Sequence, residues 1–238
     1  MKTSFGFTLI ELIIVVTIIA ILVGGALPYA QQYIEDTRYS KAKQDLDEIK
    51  NALIRFETDQ NRVYTDTSIN GLVGPYLTKG MADPWGSPYL ISHPASKCYS
   101  VGPDRQDNTG DELEVEYRPP LAISRAFWED SNKNQNIDSG DALLIKFTRP
   151  VRRNAGDGPQ TDIGNDDFVF SAGAPDIDYS SPIVFVDYDM FARIGINYAV
   201  ATPFRTGLDS ITVKNNNTIV DGDNNKCKSD SPVVIKPR

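Results

Sequence analysis

The sequence of 238 residues has few of the residues on which catalytic and metal centres usually depend. It contains one histidine, His93, which stands beside Pro94 in a predicted loop, and two cysteines. It contains no nucleophile elbow, zinc ligand set or glycine-rich phosphate loop. These absences argue against an enzyme, and we expect His93 to be a solvated loop residue.

Positive charge is also scarce. The chain has 24 Lys and Arg against 32 Asp and Glu, which gives a net charge of −8, and its basic residues do not cluster. Because binding to phosphate backbones depends on clustered Lys and Arg, the sequence predicts no nucleic-acid partner.

What the chain does have is a long apolar run near its start. Leu12 to Ala30 is about 19 residues, enough to span a bilayer, and the cleavage site of a secretory signal peptide does not follow it. Further apolar residues then recur at steps of three and four, which is typical of a helix with one buried face. They are Tyr39, Ala42, Leu46, Ile49, Leu53 and Phe56. The pattern predicts one helix from about Phe7 to about Glu57, bent or loosened near Pro28.

One acidic residue, Glu11, interrupts the apolar run. A carboxylate inside a membrane-spanning helix costs roughly 2 to 3 kcal/mol on insertion scales. The simplest explanation is a plain membrane anchor whose Glu11 reaches the interface.

The residues around Glu11 support a second explanation. Gly6-Phe7-Thr8-Leu9-Ile10-Glu11 resembles the class III signal of type IV pilins and type II secretion pseudopilins, and Pro28 falls where that family has a helix-breaking proline. The resemblance implies that a prepilin peptidase cuts after Gly6 and that the new terminal Phe7 is N-methylated. It also implies that Glu11 of one subunit neutralises the Phe7 amine of a neighbour in a filament, since buried charges are tolerable when paired.

The segment Asp83-Pro84-Trp85-Gly86-Ser87-Pro88-Tyr89 is predicted to be a tight turn, with proline fixing φ and glycine at the exit. It resembles the D-P-W-G-N-P-Y signature of the major pseudopilin of type II secretion. Ser87 stands where that signature has asparagine.

An acidic loop follows, with Ser100, Gly102 and Asp104 at the spacing S-x-G-x-D and then Asp111. In major pseudopilins a loop of this form holds a calcium ion, and the resemblance places Asp104 and Asp111 on its acidic positions. Ca²⁺ prefers six to eight oxygen ligands. Pro103 and Arg105 depart from the commonest loop, and a solvated acidic loop is the alternative.

A second oxygen-rich loop spans 130–141 and has the ligand spacing of an EF-hand-type calcium loop. Gln135 replaces the usual glycine and the last position is Asp rather than Glu. The candidate ligands are Asp130, Asn132, Asn134, Asn136, Asp138 and Asp141. A turn stabilised by its own Asn and Asp side chains is the alternative.

The rest of the chain reads as short strands separated by turns, which predicts an antiparallel sandwich. The apolar runs lie at 167–170, 183–186, 194–200, 210–213 and 233–235. The loop 130–141 and the strand after it resemble the opening of bacterial surface immunoglobulin-like (Ig-like) domains. We therefore expect an α+β chain with a leader at 1–6, a membrane-spanning half helix at 7–30, a pseudopilin head at 31–118 and an Ig-like β-sandwich at 119–238.

The two cysteines, Cys98 and Cys227, fall in different predicted domains. Thiols of exported proteins tend to oxidise, so a disulfide could clamp the two domains together. Two free thiols are the alternative, because a bridge demands a suitable Cα spacing.

The resemblance implies a filament subunit, held in the inner membrane by one span with its head in the periplasm. Its expected function is that of a type II secretion pseudopilin, which polymerises through its first helix to drive protein export across the outer membrane. Its expected partners are other copies of the chain, prepilin peptidase, the inner-membrane assembly platform, minor pseudopilins and membrane lipid, with Ca²⁺ as cofactor. The alternative is a type IV pilus subunit that displays an adhesive or ligand-binding Ig-like domain.

Overall fold

The first element is one continuous helix. The computed structural model describes residues 8–152, 163, 167–171, 183–196, 204–229 and 232–238. Helix α1 spans Leu9–Gln60 without interruption at Pro28. It ends at Asn61, whose left-handed backbone (φ 48°) stops the helical hydrogen-bond pattern. The predicted helix is confirmed, although it continues to Gln60 instead of ending near Glu57.

The second half of α1 packs on a small β-sheet, and together they form the head. The sheet contains β1 (Leu90–Ser92), β2 (Lys97–Ser100) and β3 (Leu113–Glu116), all antiparallel in the order β1-β2-β3, and a 3₁₀ turn at Ile69–Leu72 precedes it. The face of α1 that the periodicity predicted to be buried packs into the core of the head. Its buried members are Ala42, Leu46, Ile49, Ala52, Leu53 and Phe56.

Seven strands follow the head and form one hydrogen-bonded sheet in the order β6-β9-β10-β4-β5-β8-β7. Their bounds are β4 (Ile123–Glu129), β5 (Ala142–Phe147), β6 (Phe168–Phe170), β7 (Val184–Val186), β8 (Phe191–Gly195), β9 (Ser210–Val213) and β10 (Val233–Pro237). The predicted strands at 167–170, 183–186, 210–213 and 233–235 are confirmed. Of the run at 194–200, the part at 197–200 lies outside the described residues.

The sheet departs from a purely antiparallel arrangement at one pair of strands. β10 runs parallel to β4, with Ile235 opposite Ala126, and antiparallel to β9. β4 and β9 approach each other although β10 lies between them. In a flat sheet such strands stand about 9 to 10 Å apart, so the sheet bends sharply at β10. The bend lets the two halves of the sheet enclose one core, which includes Trp128, Ile145, Phe185 and Ile211.

Candidate functional site

The start of α1 presents an apolar surface that none of the other described residues covers. The residues from Leu9 to Ala30 are exposed, and the helix contains a stretch long and apolar enough to cross a membrane. Gly6 and Phe7, the predicted cleavage and methylation positions, lie outside the described residues.

Glu11 sits in the first turn of α1, where the sequence reasoning overlooked its neighbour Thr8. Thr8 is the N-cap, and its Oγ1 accepts a hydrogen bond from the Glu11 backbone N–H at 3.4 Å. The Thr8 hydroxyl also lies 3.5 Å from Glu11 Oε2. A threonine N-cap with glutamate three residues later is a recognised signal of a helix start. The Glu11 carboxylate and the Thr8 cap therefore both lie at the exposed N-terminal end of the apolar surface.

The turn at 83–89 is fixed to α1 and to the acidic loop at once. Buried Asp83 accepts hydrogen bonds from Ser87 N at 2.7 Å and Ser100 Oγ at 2.6 Å, and Ser100 Oγ in turn accepts one from Gly102 N at 3.2 Å. On the other side, the Trp85 indole packs edge-on against Tyr39 of α1, with ring centroids 5.2 Å apart. The turn and the loop, which the sequence presents as separate motifs, form one unit.

The acidic loop folds the Asp111 carboxylate back against the backbone of Asp104, whose own carboxylate accepts a hydrogen bond from Gln106 N at 2.8 Å. Asp111 Oδ2 accepts a hydrogen bond from Asp104 N at 3.3 Å, and Asp111 Oδ1 accepts one from Thr109 Oγ1 at 2.7 Å. Gly102 makes this approach feasible, since its φ is +81° and a Cβ there would lie 2.6 Å from the Asp111 carbonyl oxygen. The donor set of carboxylates, hydroxyl and backbone oxygens suits a hard cation.

The loop at 130–141 also gathers its predicted side chains. The Asn132 and Asn134 amides both donate to the Asp138 carboxylate, at 3.1 and 2.5 Å. Asp130 accepts from the backbone of Asn134 and Gln135, at 3.2 and 2.7 Å. Gln135, at the position usually held by glycine, has the positive φ of 65° that this position demands. The loop geometry therefore tolerates the departure noted in the sequence.

Asp141 has a different environment from the rest of its loop. Its side chain is buried and accepts hydrogen bonds from Trp128 Nε1 at 3.0 Å, Ser131 N at 2.9 Å and Asp138 N at 3.2 Å. These donors occupy both carboxylate oxygens. Asp141 thus ties the loop to the core of the C-terminal domain, by which we mean the part of the chain from residue 119 onward, with strands β4 to β10. The remaining candidate ligand of this loop is Asn136, whose side-chain amide donates a hydrogen bond to Asn134 O at 3.3 Å.

No group of three or more His, Cys, Asp or Glu side chains is placed to hold a metal among the described residues. The acidic loop offers a metal ion two candidate carboxylates, and the loop at 130–141 offers three. Asparagine, hydroxyl and backbone oxygens would have to supply the remaining ligands in both loops. EF-hand-type loops do rely on such mixed oxygen sets, so the residues present fit calcium by their chemistry.

The disulfide considered from the sequence is not formed. Cys98 and Cys227 are both free and buried, and they belong to two separate hydrophobic cores, that of the head and that of the C-terminal domain. Burial raises the pKa of each thiol to about 12, so both stay protonated and unreactive at neutral pH.

Comparison with known proteins identifies the first half of the chain. The family described as "Prokaryotic N-terminal methylation motif" matches residues 1–27, and "Type II secretion system (T2SS), protein G" matches residues 30–116. The chain is 32% identical over 130 residues to the type II secretion system core protein G of Pseudomonas aeruginosa, covering 46% of this chain and 91% of that protein. The chain belongs to the type II secretion system protein G family.

Two further members of the protein G family show the same extent of similarity. The core protein G of Vibrio cholerae is 31% identical over 126 residues, covering 45% of this chain and 86% of that protein. That of Aeromonas hydrophila is 29% identical over 131 residues, covering 47% and 92%. No solved structure matches the chain. As a protein G family member, the chain is a pseudopilin, a filament subunit of type II secretion, and it carries a β-rich C-terminal part beyond the residues that the family matches.

Proposed function

We propose that this pseudopilin is cut after Gly6, methylated on Phe7 and polymerised through α1, with its head in the periplasm and its apolar half held in the inner membrane before assembly. The observation that carries the proposal is the exposed apolar surface from Leu9 to Ala30, most of which lies within the residues 1–27 that match the methylation motif. Surface of this size needs lipid or other apolar helices to cover it. Membrane lipid would cover this surface before assembly, and other copies of the helix would cover it in the filament.

The processing step is tested by mass spectrometry of the mature chain. We expect methylated Phe7 as its first residue, and we expect Gly6→Leu to retain the leader. Gly24→Leu is a matched control, because Gly24 has open space around it and lies well beyond the Gly6–Glu11 segment that surrounds the predicted cleavage site. A mature chain that keeps Met1, or a Gly6→Leu chain that is cut normally, would contradict the proposal.

In the filament, Glu11 of one subunit would pair with the Phe7 amine of the next. Support comes from the position of Glu11 in the first helical turn, exposed and without a close side-chain partner among the described residues apart from Thr8. The assembly platform, minor pseudopilins and prepilin peptidase are the partners that this cycle requires. The matched residues 30–116 favour secretion. The alternative of a type IV pilus adhesin would rest on the additional strands β4 to β10 alone.

We further propose that Ca²⁺ stabilises the head through Asp104 and Asp111. The bound ion would supply positive charge between two carboxylates that otherwise repel each other. Support comes from the space left by Gly102, which lets Asp111 fold back against the start of the loop. Because Asp83 links Ser100 to the turn at 83–89 and Trp85 contacts Tyr39, ordering this loop would also stiffen the packing of the head on α1.

The part of the chain at 119–238 is proposed to be an Ig-like domain with its own calcium loop. Its strand order supports this, since β4-β5-β8-β7 and β10-β9-β6 correspond to the A-B-E-D and G-F-C sheets of a seven-stranded immunoglobulin fold. Asp130, Asn132, Asn134 and Asp138 would hold the ion, with the Asn136 carbonyl. Asp141 would hold the loop in shape instead of binding the ion, because its carboxylate already accepts three hydrogen bonds.

A further inference from the structure

Head and C-terminal domain meet across a buried arginine. Arg149 follows β5 and is 1% exposed. Its guanidinium donates to the carbonyls of Pro119 at 2.6 Å and Arg118 at 2.9 Å, to Asp221 at 3.2 Å, and to Glu116 at the end of β3. One side chain therefore joins the head sheet, two carbonyls of the linker at 118–120 and a turn of the C-terminal domain.

The same turn touches the head directly through its backbone. Asp221 is fully buried and holds the turn together by accepting from Asp223 N at 3.0 Å and Asn225 N at 2.8 Å. At the tip, a Cβ on Gly222 would lie 2.6 Å from both the carbonyl carbon and the carbonyl oxygen of Pro94. Atoms do not approach so closely, so only glycine fits this contact. Lys97 and Asp223 form an ion pair at 3.7 Å beside it.

A second arginine extends the contact to α1. Arg118 is buried, and its guanidinium donates to Glu57 of α1, to Ser96 Oγ at 3.2 Å and to His93 Nδ1 at 3.4 Å. The His93 ring also packs edge-on against Tyr188 of the C-terminal domain, with centroids 6.0 Å apart. The Glu57–Arg118 ion pair is thus linked, through the Arg118 carbonyl, to Arg149 and its partners in the C-terminal domain.

We propose that the C-terminal domain is clamped to the head by Arg149 and moves with it as one rigid body. The head surface formed by Glu116 and the 93–96 turn takes this chain's own C-terminal domain as its partner. A proline-containing linker alone would act only as a spacer. Here its carbonyls are bound by a desolvated cation that cannot leave its partners without a large penalty. The orientation of α1 in a filament therefore fixes the orientation of the domain on the outside.

Hydrogen–deuterium exchange on the full chain in detergent micelles tests the clamp. In Arg149→Met, we expect the segments 92–97, 114–121 and 221–226 to exchange on the order of a hundredfold faster, because Asp221 and Glu116 lose their buried partner. The strands β5 and β8 should keep their rates. Arg193→Met is the matched control, since Arg193 pairs with Glu129 at 2.8 Å within the C-terminal domain.

Gly222→Ala tests the contact without touching a charge. Its Cβ clashes with the Pro94 backbone of the other domain, so the interface segments should again exchange faster while both cores stay protected. Gly80→Ala is its control, because the nearest atom to a Cβ at Gly80 lies 3.9 Å away. Wild-type exchange of the interface segments in Arg149→Met, or equal exchange in Gly222→Ala and Gly80→Ala, overturns the proposal.

Discussion

Among the described residues, the Glu11 carboxylate has one weak hydrogen-bond partner, the Thr8 hydroxyl, and this leaves it free for a stronger one. The Thr8 hydroxyl lies 3.5 Å from its carboxylate, well beyond the usual distance of about 2.7 to 2.8 Å for such a bond. The carboxylate thus keeps nearly all of its capacity to accept hydrogen bonds. A terminal amine from another subunit would use that capacity fully, since a charged pair forms shorter and stronger hydrogen bonds.

We therefore expect Glu11→Ala to insert and to be processed, but to yield at least about tenfold fewer filaments, because the Phe7 amine is buried without a partner. Shearing followed by immunoblotting measures the yield. Thr17→Val is the control, since Thr17 bonds only to Ile13 O of its own helix, at 2.7 Å. A normal filament yield from Glu11→Ala would remove the charge pair from the mechanism.

His93, which the sequence suggested to be a solvated loop residue, lies in the domain interface instead. Its Nδ1 accepts from Arg118 and its Nε2 faces Tyr188 O at 3.3 Å, which suits the neutral ring. Burial, and next the positive charge of Arg118, hold the pKa of His93 below its usual 6.5, although Glu57 and Asp189 act in the opposite direction. The unfolded chain therefore binds a proton on His93 more readily than the folded chain does.

Because the pKa of His93 is lower in the folded chain than in the unfolded chain, the free energy of unfolding depends on pH. The stabilising contribution of His93 is complete above pH 6.5 and is lost as pH falls below it, since the unfolded state takes up the proton first. Thermal unfolding of the full chain in detergent at pH 7.5 and 5.5 should show a lower midpoint at pH 5.5. His93→Gln, which stays neutral, should reduce that drop. An identical drop in the variant would show that other groups cause it.

At the scale of elements, the sequence predicted those helices, strands and turns that depend on residue spacing and turn chemistry along the chain. The helix, the buried stripe Leu46–Phe56 and four of the later strands were readable because each is set by spacing along the chain. The pairing of Arg149 with Glu116 and Asp221 was not readable. Those residues are far apart in sequence, and only the bent sheet brings them together. The same limit explains the cysteines, whose separation into two cores depends on tertiary packing.

The first calcium loop makes a prediction about the head. With Ca²⁺ present, Asp104→Asn should lower the unfolding midpoint relative to the parent chain, and in chelator the difference should shrink. Free ion at about 100 times Kd adds roughly 2.7 kcal/mol to the free energy of unfolding. Asp107→Asn is the control, because Asp107 contacts the Tyr99 hydroxyl at 3.3 Å and is not a proposed ligand. Calorimetry that detects no calcium binding to the parent chain would exclude this site.

Two of the aspartates in the loop at 130–141, Asp130 and Asp141, should affect stability in different ways when they are replaced. Asp130→Asn should lower stability mainly when Ca²⁺ is present, because it removes a charge from the ion; in chelator it should cost only about 1 kcal/mol, for the one exposed backbone hydrogen bond that the amide NH₂ cannot accept. Asp141→Ala should cost on the order of 3 kcal/mol with or without the ion, since it leaves three donors, among them the buried Trp128 indole, without their acceptor. Thermal unfolding in calcium and in chelator distinguishes them. A calcium-dependent loss in Asp141→Ala alone would make Asp141 a ligand instead.

At the scale of the whole molecule, the C-terminal domain is attached directly to the head that belongs to the protein G family. The matched residues 30–116 end at β3, whose last residue, Glu116, is the one that Arg149 binds. The C-terminal domain therefore begins where the family's common part stops, and it is fixed there by its own side chains. A filament of such subunits would carry the domain at regular positions instead of on loose tethers.

This architecture predicts that the head alone suffices for polymerisation. A chain ended after Arg118 keeps α1, the three-stranded sheet and the Glu57–Arg118 pair, and it contains all the residues that the family matches. We expect it to form filaments that are thinner in negative-stain electron microscopy, at a yield within a few-fold of the full chain. Glu11→Ala in the shortened chain is the control, because it should abolish these filaments too. If the shortened chain is processed at Gly6 but forms no filaments, the C-terminal domain contributes contacts between subunits, and the clamp at Arg149 then positions an assembly surface.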